Sequence, residues 1–436
     1  MEPCHLSSRL DWIRILICAT VLVGSSDVVR AIPQSFFGNG FIGPIIPAHP
    51  RFGKNLTGAF LSVSNWEKGE LPGPWETQPA LAGTSLERMT ANPILFGAVP
   101  DSVVAHREEG GLHEIAITYL DAGSFFGFKF GGEKTNADRA AGSKRRLEFE
   151  SHFTKLERNL RERLESGCGR GTPQPVGRSD LLRTVFTDYV WEDFVLRLSV
   201  RQGHSVGLSI YRKGEIPDSF VAEAIAGLDQ RQRKARLTEN VDHNERGDVC
   251  INGIPFFEQG NTPFCGIHSL AIAAHYLGLR ISPKELEAGA QLRNTGSARG
   301  SRVLDLYKSV ADELDMRVSV SPKFDASRVR RSIEAGVPVV VWRRVSKERE
   351  LAHTKFTERL KHDPNARLEE PNSEQRKSWP RRDSKNSPSH GSVVSGINSD
   401  LSEVIFSEPW GSSARERRMR IAEMEATVYA VFYFRF

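Results

Sequence analysis

Apolar and polar positions along this chain fall into blocks of different period. Residues 32–52, rich in Gly, Pro and Phe, keep no period and read as an irregular lead-in. In "SVVAHREEGGLHEIAITYL" (residues 102–120) two β-rich runs flank "EEGG", which predicts a hairpin. From 144 to 166 the period lengthens. Leu147, Phe153, Leu156, Leu160 and Leu164 fall near one face of a long amphipathic helix, stopped by Gly167 and Gly169. The stretch 181–214 then predicts three strands with turns at "YVWED" and "RQGH", followed by a short helix from Asp218 to about Gln232. Residues 231–248 have few apolar anchors and read as a linker.

Beyond the linker the pattern changes order. "LAIAAHYLGL" is apolar nearly all round, the mark of a buried helix. "SPKELEAGA" begins another, with Ser282 and Glu285 spaced as a capping box. "GSRVLDLYKSVADELD" and "SRVRRSIEAG" predict two more, the second ended by Gly336. "VPVVVW" (337–342) predicts a buried strand, and "SVVSGIN", "EVIFSEPW" and "TVYAVFYF" predict three β-rich runs at the end. Helices first and antiparallel strands later argue for an α+β fold. The expected organisation is residues 1–31 as a signal peptide, a separate α+β domain at 32–230, a linker at 231–248 and a second domain at 249–436. Within the second domain, 343–389 carries 13 Lys/Arg against 8 Asp/Glu. The simple reading of that insert is a solvated surface loop with room for one short helix; the sharper one is a mobile lid, because it ends directly before His390.

Composition adds bounds. A chain of 436 residues exceeds what one core usually serves, and 39% hydrophobic with 26% charged residues fits a globular protein. A net charge of +5 without a clustered basic stripe does not support nucleic-acid binding. Arg9 and Arg14 precede the apolar run at 15–24, and Val29 and Ala31 sit where a signal peptidase needs small residues. This predicts an exported, secreted or periplasmic protein with no stable membrane insertion after cleavage; an uncleaved N-terminal anchor is the alternative. Removal of that segment leaves Cys168, Cys250 and Cys265, and a Cys168–Cys250 bridge would leave Cys265 free.

Cys265 lies in "QGNTPFCGIH". Thr262 or Asn261 can cap a helix there, and Pro263 suits its first position. A cysteine in the first turn meets unpaired backbone amides and the positive end of the helix dipole, which favour the thiolate. Gly266 leaves space beside the sulfur. An inert core thiol is the competing reading. A thiolate acting on an acyl group needs a base, and His390 opens a β-rich run. The base needs an orienting acceptor, and Glu408 in "SEPWG" lies 18 residues on. Trp410 would cover the pair. Gln259 and the Cys265 amide would hold an oxyanion. His275 reads as a satisfied core residue, and His353 and His362 as solvated. No second pair accompanies Cys265 and His268 to make a metal site, so no metal or cofactor is expected.

The order Gln259–Cys265–His390–acid resembles the papain-like cysteine peptidases, and more closely the C39-like peptidases. The resemblance rests on "Q…CG" with its apolar helix, "GVPVVVW", "HGSVVSGIN" and the "EPWG" turn, over residues 249–436. It implies helices packed on an antiparallel sheet, Cys265 as nucleophile, His390 as base then acid, and Gln259 as oxyanion donor. Glu408 stands where the family has Asp or Asn, and Asn398 or Asp400 are alternatives. The implied activity is an exported thiol hydrolase acting on a peptide or protein substrate. The alternatives are an acyl transferase or amidase on cell-wall peptides, and a non-catalytic scaffold.

Overall fold

The computed structural model describes residues 56–78, 84–91, 93–108, 110–126, 136–259, 264–290 and 303–436. The expected signal segment and the 32–52 lead-in lie outside these residues. The architecture is α+β, with two antiparallel sheets inside one compact unit.

The first sheet has eight strands: β1 (Trp75–Gln78), β2 (Thr84–Met89), β3 (Ser102–Glu108), β4 (Gly111–Asp121), β5 (Thr172–Val176), β6 (Thr184–Trp191), β7 (Phe194–Arg201) and β8 (Ser205–Arg212). Their order is β1-β2-β3-β4-β8-β7-β6-β5. Each half is a meander, and helix α1 (Asn136–Cys168) connects them. The predicted hairpin at 102–120 and the three strands at 181–214 are present. In α1, Phe149 takes the core position in phase with Phe153, Leu156, Leu160 and Leu164, and Leu147 is 67% exposed. Leu147 precedes Phe153 by six residues, which is out of phase with a 3.6-residue turn.

Residues 231–248, expected as a linker, are ordered. Helix α2 (Gln230–Thr238) starts with a reciprocal capping box between Asp229 and Gln232. Strand β9 (Val241–His243) then pairs with β10 (Val249–Ile251) at the margin of the second sheet. The capping pair and buried Leu237 supply the local order that a low apolar content concealed.

The second sheet adds β11 (Arg317–Ser321), β12 (Val339–Arg344), β13 (Ser389–Asn398), β14 (Glu403–Ser407), β15 (Arg417–Arg420) and β16 (Val428–Arg435). β13 is its hub, pairing with β12 and β10 along one edge and with β14 along the other. Helices α3 (Cys265–Tyr276), α4 (Pro283–Gly289), α5 (Val303–Glu313) and α6 (Ala326–Glu334) match the four predicted helices, and all precede the strands that carry the site. Val339, Val340, Val341, Val393 and Val394 are fully buried, so the sheet is covered on both faces.

Polar bonds join the two halves. Ser282 caps α4 by accepting from the Glu285 amide, but the Glu285 carboxylate does not close the predicted capping box. It turns instead to the first sheet, accepting from Ser199 at 2.7 Å and from Arg201. Buried Glu313 accepts from the Arg178 and Ser179 amides at 2.5 and 2.7 Å. The charged insert is neither a solvated loop nor a detached lid along its first part. Helix α7 (Lys347–His362) buries His353, Phe356 and Thr357 and packs on β15. His353, expected in solvent, is 1% exposed and bonded to Glu423 at 3.1 Å.

Candidate active site

Helix α3 starts at Cys265 itself, with Phe264 as its N-cap and no side-chain cap bond. Asn261, Thr262 and Pro263, the expected cap and first helical residue, lie outside the described residues. The Gly266 and Gly391 amides point at the Cys265 sulfur and favour the thiolate, but burial outweighs them and pushes the thiol above its usual range. Cys168 and Cys250 are free as well, each pushed up by burial, to about 11 and about 12.

Gly391 shows how closely α3 meets β13. A Cβ at Gly391 would lie 2.8 Å from the Gly266 Cα and 3.2 Å from the Cys265 carbonyl carbon. β14 pairs with β13 only from Val393 onward, which leaves the 389–392 edge open to the helix head. Gly266 has a different role from the one expected. A Cβ there would meet the Trp342 indole at 3.1 Å, so its missing side chain admits Trp342 and not a substrate. Trp342 Nε1 donates to the Tyr307 hydroxyl at 3.2 Å, and Tyr307 donates to the Gly266 carbonyl at 2.9 Å. This chain of bonds fixes the helix head.

His390 is 4% exposed and lies directly opposite Arg343 across the β12–β13 ladder. Trp410 stacks on it with ring centroids 3.9 Å apart. Among the described residues its Nε2 has no hydrogen-bond partner, and it stands 3.9 Å from a Glu408 oxygen. That separation permits electrostatic attraction but exceeds a hydrogen bond. Burial, then Arg343 and Arg417, hold the imidazole well below its usual pKa. At rest the Cys265 thiol and the His390 imidazole are therefore both neutral.

Glu408 is fully buried and gripped from two sides, by Arg343 on Oε1 and by Arg417 on Oε2. Ser392 donates to Oε1 at 3.2 Å. Glu350 of α7 binds the same two arginines, with Arg343 at 2.8 and 3.0 Å and Arg417 at 2.8 Å. Two cations and two anions thus form one closed, neutral cluster. Burial and the neighbouring Glu350 charge hold the Glu408 carboxyl above its usual range, and the two guanidinium groups pull it back only in part. Burial also opposes ionisation of Glu350, but Arg343 and His353 together outweigh it and hold that carboxyl well below its usual range.

The other candidates are placed as follows. Gln259 donates its backbone N–H to the Pro409 carbonyl at 2.8 Å, which anchors it against the Glu408 turn. Asn398 and Asp400 stand at the far end of β13. Eight residues of strand, about 26 Å, separate Asn398 from His390, so neither can orient the imidazole. Asn398 bonds Asp248 at 2.8 Å instead. His268 is 2% exposed with Nδ1 on the Phe264 carbonyl, and His275 bonds the Ile281 carbonyl at 2.8 Å. Among the described residues no group of three or more His, Cys, Asp or Glu is arranged to hold a metal.

The sequence reading missed Arg343, Arg417 and Glu350. Arg343 left a trace, being in phase with the inward Val339 and Val341 of "VPVVVW". A charge on a buried strand face demands a buried partner. Arg417 and Glu350 left none, because only tertiary packing brings β15 and α7 to β12.

Cys265 at the head of α3, His390 at the start of β13 and Glu408 just after β14 stand in the order expected of a cysteine peptidase. The C-terminal region is C39-like: residues 251–435 match the Peptidase_C39 like family. A crystal structure provisionally described as a C39-like peptidase from Bacillus anthracis is similar at 17% identity, covering 43% of this chain and 96% of that one, with a TM-score of 0.28. No curated protein matches the chain.

Proposed function

We propose that this protein is an exported thiol hydrolase that cleaves a peptide or amide bond through an acyl-enzyme on Cys265. The supporting observation is the head of α3 held against β13, which sets the Cys265 thiol at the Gly391 amide, one residue from His390. With both groups neutral at rest, proton transfer accompanies attack. Sγ bonds the carbonyl carbon while His390 takes the thiol proton. The imidazolium so formed is favoured by Glu408, 3.9 Å from Nε2. His390 then returns the proton to the leaving amine, and water attacks the thioester with His390 as base. Gln259 and the Cys265 amide are the oxyanion donors in this reading. A peptide-like acylating probe should label Cys265 and lose at least about 100-fold in rate in His390→Ala. Equal labelling of both proteins would sink the proposal.

The grip of Arg343 and Arg417 on Glu408 favours a second reading, a non-catalytic scaffold, because the acid already has two cationic partners. The same labelling separates the two, since a scaffold leaves Cys265 unlabelled.

A further inference from the structure

The first sheet is amphipathic in an unusual sense. Cross-strand partners share a face. Registers group Val103 and Ala105 of β3 with Ile115 and Ile117 of β4 and Leu208 and Ile210 of β8, an apolar face. The opposite face carries Ser102, His106, Glu114, Thr118, Ser209 and Arg197. A polar face of an antiparallel sheet normally meets water. Here the segment Phe256–Gln259 and helices α3 and α4 cover it without filling the space, leaving a cavity of about 440 Å³. That volume is in the range of sites that enclose small molecules or short peptide segments.

The cavity touches Gln259 and also His268, one helical turn beyond Cys265. Its charges are unbalanced. Arg197 is held by Asp188 at 2.8 and 2.9 Å, Lys284 by Asp121 at 2.7 Å, Arg88 by Glu258 at 3.6 Å, and Arg280 by Glu108. Glu114 accepts from Ser209 and from the Tyr211 hydroxyl, the latter at 2.8 Å; among the described residues its ion-pair partner is the His106 ring at 4.0 Å, and burial lowers the pKa of that ring so that it stays neutral. Asp101, at the other end of the cavity, forms no ion pair within 4.0 Å among the described residues. Four residue steps of strand, about 13 Å, separate Glu114 from Thr118, the β4 residue whose carbonyl bonds the Asp101 amide.

We propose that this cavity binds the cationic part of a ligand, an amine or guanidinium seated against Glu114. The shared chemistry covers a basic residue of a peptide and a free diamine. That the ligand is the substrate of Cys265 rests on the hydrolase reading above; the binding itself does not.

The test uses the full chain carrying Cys265→Ala, so that binding is read without turnover. Titration calorimetry with an arginine- or lysine-containing tetrapeptide amide, with 1,5-diaminopentane and with an acidic tetrapeptide distinguishes the sources. Saturable binding of a basic peptide or the diamine, and none of the acidic peptide, is the expected result. Glu114→Gln should weaken it about tenfold or more. Ala116→Leu, which fills the floor between Val104 and Ser209 and alters no charge, should abolish it. Ala116→Leu also serves where Glu114→Gln does not fold. Absence of binding by both cationic probes, equal binding of the acidic peptide, or binding unchanged in either variant overturns the proposal. Binding that persists while probe labelling of the wild-type thiol fails would overturn the hydrolase reading alone.

Discussion

The two sheets treat buried charge in opposite ways. In the second sheet, Arg343, Arg417, Glu350 and Glu408 pack against one another and leave no room. In the first, polar side chains of β3, β4 and β8 face an open volume of about 440 Å³. A closed cluster has every charge answered and serves to hold geometry. An open face with an unanswered carboxylate has capacity for something else. The distinction follows from desolvation: charge removed from water must be paired inside the protein or by a ligand.

The largest expected effect comes from breaking the closed cluster. Glu408→Ala leaves two buried guanidinium groups short of a partner and should cost about 3–5 kcal/mol in urea denaturation. Arg88→Ala at the cavity rim, where the Arg88 side chain is 45% exposed, should change stability by less than about 0.5 kcal/mol. Similar losses at both positions would erase the contrast. A smaller effect is expected where α3 meets β13. Gly391→Ala places a methyl 2.8 Å from backbone, and should cost about 1–3 kcal/mol and abolish probe labelling of Cys265. A fully labelled, equally stable variant would show that the approach is slack.

The smallest effect is on the pH profile, and the cavity side should dominate it. Burial lowers His268 to about 3 and His275 to about 4. The native state then binds fewer protons than the unfolded chain, so their contribution is present above about pH 6.5 and falls as pH drops toward those values. Burial raises Asp101 to about 7 and Glu287 to about 8. Their contribution is complete below about pH 4 and is lost as pH rises through 7 to 8. Between about pH 4 and 6.5 the two pairs offset each other, so denaturation midpoints should hold a plateau there and fall as pH rises from about 6.5 to 8, and Glu287→Gln should flatten that upper limb. An unchanged upper limb in that variant would rule out Glu287 as its source.

Much of this was legible from residue pattern. The helices of the C-terminal half and strands β12, β13, β14 and β16 followed from period and punctuation, because each buries a continuous apolar run. Cys265 and His390 were legible as a candidate pair of residue types; the close packing of the α3 head on β13, set by Gly266, Gly391 and Trp342, was not. The extent of helix α7 was hidden because Phe356 is joined on its inward face by His353, Glu350 and Thr357, which read as solvent-facing until their partners elsewhere in the fold are known. The order in 231–248 was hidden for a related reason: short elements held by caps and edge pairing need few apolar residues.

The polar face of the first sheet also has a consequence for the order of assembly on the ribosome. Strands β1 to β8 emerge before Phe256–Gln259 and α3 exist to cover them. Their future inner surface carries Ser102, His106, Glu114 and Thr118, and water can solvate it while synthesis continues. The nascent half can wait without presenting a sticky patch there. The cavity closes only when the C-terminal helices dock, so an occupied cavity would mark a finished chain.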